Sequence, residues 1–242
     1  MNPDAQMIDA IVLAGGRGTR LSSVVSDVPK PLAPVGGRPF IDYQLSLLAR
    51  TKRIETTVLA LGHLADKVVD HYAASPAPLP LTFEIEKDLL GTGGGLRNAV
   101  SRTTRPLILA LNGDSVFRWR LEPLFEALKK TGCDCAMALV EVEDTSRYGS
   151  VLLEGDQVVA FHEKTASTGP GLVNAGLYLF SRDVIEALPV NQVISLESEI
   201  FPRLAAQGRL AAAVYRSPFI DIGLPETYAA AAGILSDIDS EA

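Results

Sequence analysis

Within the first 111 residues, four short apolar runs, Ala10–Ala14, Thr57–Leu61, Leu81–Ile85 and Leu107–Leu111, are separated by longer stretches of helical spacing. Short runs of this kind, with little polar alternation, suit strands covered on both faces, as in a parallel sheet. Between them, Pro39–Ala49, His63–Ala73 and Gly94–Val100 read as helices. The resulting β-α-β-α order predicts an α/β fold: a Rossmann-like open mixed sheet, mostly parallel, with helices on both faces.

The pattern then changes. Asp134–Val140, Gly149–Leu153, Val158–Phe161 and Leu172–Phe180 read as strands with little helix among them. They predict an antiparallel extension that helps to build a substrate pocket. Helices return at Arg182–Leu188 and Leu196–Gln207, followed by a strand at Leu210–Tyr215 and a last helix from about Pro225 to Leu235. That helix opens "GLPETY", with Pro in the first turn and Glu behind it, where the helix dipole favours a negative charge. No repeat or linker divides the 242 residues, so the expectation is one domain with two working halves, about 10–115 and 116–235.

A net charge of −7 argues against a nucleic-acid partner, which needs a basic face. No apolar run approaches the ~18 residues of a membrane span. The stretch before Ala10 carries Asp4 and Asp9 rather than a signal peptide's basic start. The only cysteines, Cys133 and Cys135, lack further partners for a metal set and read as reduced, mostly buried thiols. A cytoplasmic protein is the expectation. His63, His71 and His162 have no partners at metal-binding spacing and read as structural or surface residues.

If an acidic chain handles anions, it must concentrate positive charge locally, and "LAGGRGTRL" (13–21) does so directly after the first apolar run. The loop is not a dinucleotide fingerprint, because Leu21 stands where the third glycine belongs, and the chain contains no Gly-Lys-Ser/Thr of a P-loop. Gly15, Gly16 and Gly18 let backbone N–H groups approach a phosphate chain closely. Arg20 offers a planar, multi-donor cation. Lys30 sits in "PKP", where flanking prolines stiffen the backbone that presents its ammonium. An ordinary glycine-rich turn with surface basic residues is the competing reading.

"LAGGRGTRL" followed by "DVPKPL" (27–32) resembles the signature of the sugar-1-phosphate nucleotidylyltransferases, with the short heptose 1-phosphate guanylyltransferases as the nearest likeness. The resemblance runs from Ala10 to about Leu235. It implies a nucleoside triphosphate and a sugar 1-phosphate as reactants, an NDP-sugar and pyrophosphate as products, and Mg²⁺ as cofactor; many relatives self-associate, which leaves monomer and homo-oligomer both open. Arg20 and Lys30 would then be catalytic, and Leu13, Ala14, Gly15, Gly16, Gly18, Thr19 and Asn112 would bind the nucleotide.

Further pieces follow in order. "EKDLLGTGGGLRNA" (86–99) is similar to the base-binding loop: Gly91, Thr92, Gly93 and Gly94 would let the backbone lie flat against a nucleobase. Glu86 stands where relatives read the base. A carboxylate accepts two neighbouring N–H donors well, and guanine presents two on its Watson–Crick edge, so GTP is the expected donor. A strand-end surface carboxylate is the alternative. Asp114 ends the apolar run of "ILALNGDSV" and Asp221 that of "FIDIG", and the pair resembles the family's Mg²⁺ ligands. In "RYGSV", "FHEKT" and "LVNAGLYLF", Gly149, Glu163, Asn174 and Gly176 would bind the sugar, Gly176 leaving room for its ring, and catalytic Lys164 would meet the sugar phosphate. Two alternatives stay open: a UTP-, dTTP- or CTP-using transferase acting on another sugar or alcohol phosphate, and a non-catalytic nucleotide-sugar binder.

Overall fold

The computed structural model describes residues 6–21, 24–25, 28–162 and 169–240. The chain opens with strand β1 (Ile8–Ala14), a short ribbon of β2 (Pro34–Val35) and β3 (Arg38–Pro39), and helix α1 (Phe40–Arg50). Then come β4 (Ile54–Leu61), α2 (Ala65–Ala74), β5 (Leu81–Ile85), α3 (Gly91–Ala99), β6 (Leu107–Asn112), β7 (Ser115–Phe117) and α4 (Glu122–Thr131). The remainder comprises β8 (Cys135–Val142), β9 (Ser150–Glu154), β10 (Gln157–His162), β11 (Gly171–Ser181), α5 (Arg182–Glu186), α6 (Phe201–Ala206), β12 (Leu210–Tyr215), β13 (Phe219–Asp221) and α7 (Pro225–Ser240).

Nine strands form one sheet in the order β5-β4-β1-β6-β11-β8-β12-β10-β9. From β5 to β6 every pairing is parallel, as the β-α-β-α pattern requires. Beyond β6 the sheet is antiparallel except where β12 lies parallel to β8. One face carries α1, α2, α4 and α7, through side chains such as Leu45, Val68, Leu124 and Leu235. The other carries α3, α5 and α6, through Leu96, Ile185 and Phe201. Both faces are therefore dry, which is why the central strands read as apolar runs. No helix among the described residues is long and apolar enough to cross a membrane.

Chain order places the ligand edge. β1 leads outward to β4 and β5, and the chain then returns to β6 on the other side of β1. Strands β1, β4, β5 and β6 all end at the same edge, and the crevice between β1 and β6 is where loops diverge and ligands collect in such sheets. At the opposite edge, the buried Asp9 carboxylate accepts from the N–H groups of Thr56, Thr104 and Arg105, tying β1 to its neighbours.

Helix α4 goes beyond the sequence reading, which assigns no element to 118–133. Its signals are nonetheless present: Pro in the first turn, Glu122 at the start, Lys129 and Lys130 in the last turn, and left-handed Gly132 as the stop. The helix expected over Leu196–Gln207 is instead a π-helical turn, Leu196–Ile200, running into α6. Pro202 cannot donate a backbone hydrogen bond within that second piece.

Candidate active site

The first strand delivers its loop to the ligand edge. After Ala14, Gly15 and Gly16 continue the chain, Gly18 turns it with φ of 61°, and buried Leu21 anchors its far side. Two contacts fit this loop to its neighbours. Gly113 N–H donates to Leu13 O at 2.8 Å, and a Cβ on Gly62 would stand 2.5 Å from Gly15 O. Neither position tolerates a side chain without movement.

Lys30 opens a 3₁₀ turn, Lys30–Leu32, between Pro29 and buried Pro31. Its ammonium reaches across the site to Asp114 Oδ2 at 2.6 Å. Lys30 is largely enclosed, with 13% of its side chain exposed, whereas Asp114 retains 40%. The pair is thus poised at the mouth of a cavity rather than sealed in the core.

The two aspartates meet through a small ribbon. Strand β13 pairs antiparallel with β7, setting Asp221 opposite Ser115, the residue after Asp114. Ile222 N–H donates to Asp114 O at 2.9 Å and closes the ribbon's end. Asp221 Oδ1 accepts from Gly223 N–H at 3.0 Å, and Oδ2 from the Tyr148 hydroxyl at 2.7 Å. Arg147 lies 3.8 Å from the same oxygen. Burial, then the bonded Asp221 carboxylate, push the Tyr148 hydroxyl above its ordinary range, so it stays a donor. A Cβ built on Gly223 would sit 2.7 Å from Asp221 Oδ1 and 3.8 Å from both Arg20 Nη2 and Lys30 Nζ. Arg20, Lys30 and Asp221 therefore surround one glycine, with Asp114 on the lysine.

Three cavities adjoin this cluster. The first, of about 430 Å³, is lined by Leu13, Ala14, Gly16–Arg20, Lys30, Thr92, Asn112–Asp114, Glu197 and Gly223. A smaller one of about 190 Å³ is lined by Leu13, Gly15, Gly16, Ala60, Glu86, Leu89, Gly91 and Thr92. The third, about 540 Å³, lies on the antiparallel half and is lined by Tyr148, Gly149, Asn174, Glu197, Ser198, Phe201 and neighbours. The structure thus brings the sequence-predicted nucleotide residues to two of the cavities, and Gly149 and Asn174 to the third. Glu163 and Lys164 lie outside the described residues.

Two expectations need correction. The glycines of "GTGGG" do not form a loop lying flat against a base: they are the first turns of α3. Gly93 and Gly94 N–H groups are taken by Ile194 O, and a Cβ on Gly91 would stand 2.6 Å from that same oxygen. A Cβ on Gly95 would strike the Glu86 carboxylate. Glycine is needed there because residues 192–196 and Glu86 press against the turn. Gly176, likewise, is not among the residues that line the third cavity. It has φ of 75°, and a Cβ there would lie 2.5 Å from Ser115 Oγ, so it serves close packing of β11 on the ribbon.

Glu86 faces the small cavity between Gly15 and Gly95. Its Oε2 accepts from Leu90 N–H at 3.2 Å. Burial first, and to a lesser degree the nearby Glu84, raise its pKa above the ordinary carboxylate value against the opposing pull of that N–H.

Sequence reasoning missed several residues. Gln44, 2% exposed on α1, donates to Asn112 O at 2.6 Å and Ser115 O at 2.7 Å, pinning the turn that carries Asp114. A glutamine among the apolar positions of α1 was the available signal. Buried Tyr178 receives the amides of Asn174 at 2.9 Å and Asn112 at 3.4 Å, joining the floors of two cavities. Tyr148 stands in "RYGSV", read only for its glycine, and Glu197 carried no motif.

Asp114 and Asp221 supply hard oxygen donors at one end of one ribbon, and no cluster of three or more acidic, histidine or cysteine side chains able to hold a metal ion occurs among the described residues. That donor set fits Mg²⁺, which takes one or two carboxylates and completes its shell with phosphate oxygens and water.

A model of the nucleotidyl transferase family matches residues 9–237. The D-glycero-α-D-manno-heptose 1-phosphate guanylyltransferase of Aneurinibacillus thermoaerophilus is 31% identical over 91% of this chain and 95% of its own. The mannose-1-phosphate guanylyltransferase of Mycobacterium tuberculosis is 34% identical, and the match spans 91% of this chain but 62% of that one. Among solved structures, HddC from Yersinia pseudotuberculosis complexed with GMP-PN superposes with a TM-score of 0.81 at 34% identity, covering 94% of this chain and 99% of the other.

Proposed function

The chain belongs to the nucleotidyl transferase family, and from that premise we propose that it transfers the guanylyl group of GTP to a heptose 1-phosphate, giving GDP-heptose and pyrophosphate. The observation that carries the reading is the convergence of Arg20, Lys30, Asp114 and Asp221 at the ligand edge, beside a small cavity faced by Glu86.

A phosphate oxygen of the sugar 1-phosphate attacks the α-phosphorus of GTP. A new P–O bond forms as the bond to the bridging oxygen breaks, and that electron pair leaves with pyrophosphate. The nucleophile is already ionised near neutral pH, so no general base is required. The barrier is the repulsion between two anions, and catalysis amounts to alignment and charge neutralisation.

Each residue has a place in that scheme. Gly15, Gly16, Gly18 and Thr19 receive the triphosphate. Arg20 takes the charge that builds around the α-phosphorus, and Lys30 bridges the phosphates after exchanging Asp114 for them. Asp114 and Asp221 would hold Mg²⁺, which when bound would polarise the α-phosphate and assist the leaving group. Tyr148 keeps the Asp221 carboxylate oriented. Ionised Glu86 accepts two N–H groups of guanine. Asn174, Gly149 and Glu163 bind the acceptor sugar, and Lys164 aligns its phosphate. The half spanning about 10–115 takes the nucleotide and that spanning about 116–235 the sugar phosphate. Two reduced thiols accord with work in the cytoplasm, where the product would feed capsule or lipopolysaccharide synthesis.

The test is pyrophosphate release across the nucleoside triphosphates GTP, UTP, dTTP, CTP and ATP with a panel of sugar 1-phosphates, the product identified by mass. GTP with a manno-configured heptose 1-phosphate, and more weakly with mannose 1-phosphate, is expected to give the highest rate. Release confined to UTP, dTTP or CTP would reassign the base. No nucleotide sugar from any pair would overturn the reading.

A further inference from the structure

Two side chains stand at the joints between the three cavities. Thr92 lines both the Glu86 cavity and the phosphate cavity, and Glu197 lines both the phosphate cavity and the acceptor cavity. The two are bonded to one another: the Thr92 hydroxyl donates to Glu197 Oε2 at 2.7 Å and accepts from Leu196 N–H at 2.9 Å. The Ser195 hydroxyl reaches the same Oε2 at 3.2 Å. Behind them, residues 192–196 are strapped to the start of α3, with Ile194 N–H on Leu90 O and Ile194 O taking two glycine N–H groups. Glu197 thus projects from a braced segment, in the π-helical turn Leu196–Ile200, a geometry frequent at functional sites.

The charge of Glu197 is out of keeping with its place. A cavity that gathers phosphates is lined by Arg17, Arg20 and Lys30, and a carboxylate there repels the ligands. Glu197 forms no salt bridge among the described residues. A carboxylate beside two phosphorylated substrates is explained by a neutral hydroxyl donor, with which it makes a charge-assisted hydrogen bond. Its Oε2 is held by Thr92 and Ser195, and no described residue bonds Oε1. Glu197 opens on the cavity whose wall also offers Asn174 and Ser198 to hydroxyls and Phe201 and Pro202 to the C–H face of a ring.

We propose that Glu197 is a specificity-determining residue for the acceptor: its Oε1 accepts a hydrogen bond from one ring hydroxyl of the sugar 1-phosphate. Thr92 is the positioning residue that holds the carboxylate from the donor side. This rests on the sugar-1-phosphate reading above. It also makes the strap a link between donor and acceptor, because the residue gripping the carboxylate lines the nucleotide's cavities.

The experiment is steady-state kinetics of wild type, Glu197→Gln, Thr92→Val and Thr92→Ser with the sugar 1-phosphate and its series of monodeoxy analogues. Glu197→Gln is expected to lower kcat/KM for the sugar phosphate by roughly 10- to 100-fold, with the KM for GTP moving less than about 3-fold. That loss should vanish for one deoxy analogue alone, the one lacking the hydroxyl that Glu197 accepts from. Thr92→Val should show a smaller loss with the same analogue signature, and Thr92→Ser should restore the wild-type pattern. An equal loss with every analogue would mean a merely structural role and overturn the proposal. So would a loss that vanishes with 2′-deoxy-GTP, which would give the carboxylate to the ribose. A wild type inactive with every pair overturns the parent reading as well. An active wild type with an unchanged Glu197→Gln variant overturns this inference alone.

Discussion

Gly15–Gly18 and Gly91–Gly95 look alike as sequence, yet they use glycine for opposite ends. In the first stretch a Cβ on Gly16 would meet nothing within 4 Å, and the open side is the cavity lined by Arg20 and Lys30. In the second, the space a side chain would need is filled by protein: Ile194, Gln192 and the Glu86 carboxylate. One stretch is bare where it borders a cavity, the other where a second segment of chain packs against it. A glycine cluster signals close approach, and only the neighbours reveal what approaches.

Function should therefore depend on the first region and folding on the second. The largest effect is expected where the first loop meets its charged partners. Lys30→Ala and Asp114→Ala should each lower turnover by about 10²–10³, the scale of removing a group that stabilises transition-state charge. Both variants should unfold near the wild-type temperature, since the pair sits at an open mouth. Turnover close to wild type in either would remove that residue from the chemistry.

Next comes the direct contrast. Gly91→Ala forces a side chain into a left-handed backbone with φ of 72° and against Ile194 O. The expected cost is about 1–2 kcal/mol for the backbone and about 1–3 kcal/mol for overpacking. Gly16→Ala should change stability by less than about 0.5 kcal/mol and instead raise the KM for GTP. Chemical denaturation and kinetics on the pair would break the comparison if the two variants behaved alike.

The smallest expected effect concerns Glu86, which lies between the two stretches. Guanine reading requires the ionised carboxylate, whose pKa burial raises, so the KM for GTP should rise as pH falls through that pKa. Glu86→Gln should flatten this dependence and reduce the preference for GTP over UTP by roughly 10-fold or more. The same raised pKa works against the fold. The folded chain holds the proton more tightly than the unfolded one, so stability from this group is present at low pH and lost as pH rises through the folded value. Glu86→Gln should thus gain stability relative to wild type on the alkaline side. An unchanged base preference would return Glu86 to a packing role.

Much of the site was legible because its chemistry hangs on strand ends. Asp114 and Asp221 each follow an apolar run, and Lys30 is fenced by prolines, so residue type and position pointed to the same edge. Helix α4 was missed by the sequence reading, although its first-turn Pro, its terminal charges and its Gly stop were there to be read. Tyr148, Tyr178, Gln44 and Glu197 were not legible, because each acts on a residue far away in the chain. Tyr148 orients Asp221, Gln44 grips the backbone at Asn112 and Ser115, and Glu197 meets Thr92.

The amino-acid sequence alone determined the strand-helix alternation of the first half and the identity of the charged groups that follow its apolar runs. These depend on local periodicity and on which residue follows which strand, and both are written in order along the chain. Only the tertiary structure decided that Gly91, Gly93 and Gly94 pack against the segment around Ile194, that Gly176 packs on Ser115, and that one carboxylate opens on two cavities. Those outcomes depend on which distant segments come within a few ångströms, and close packing of the whole chain sets that.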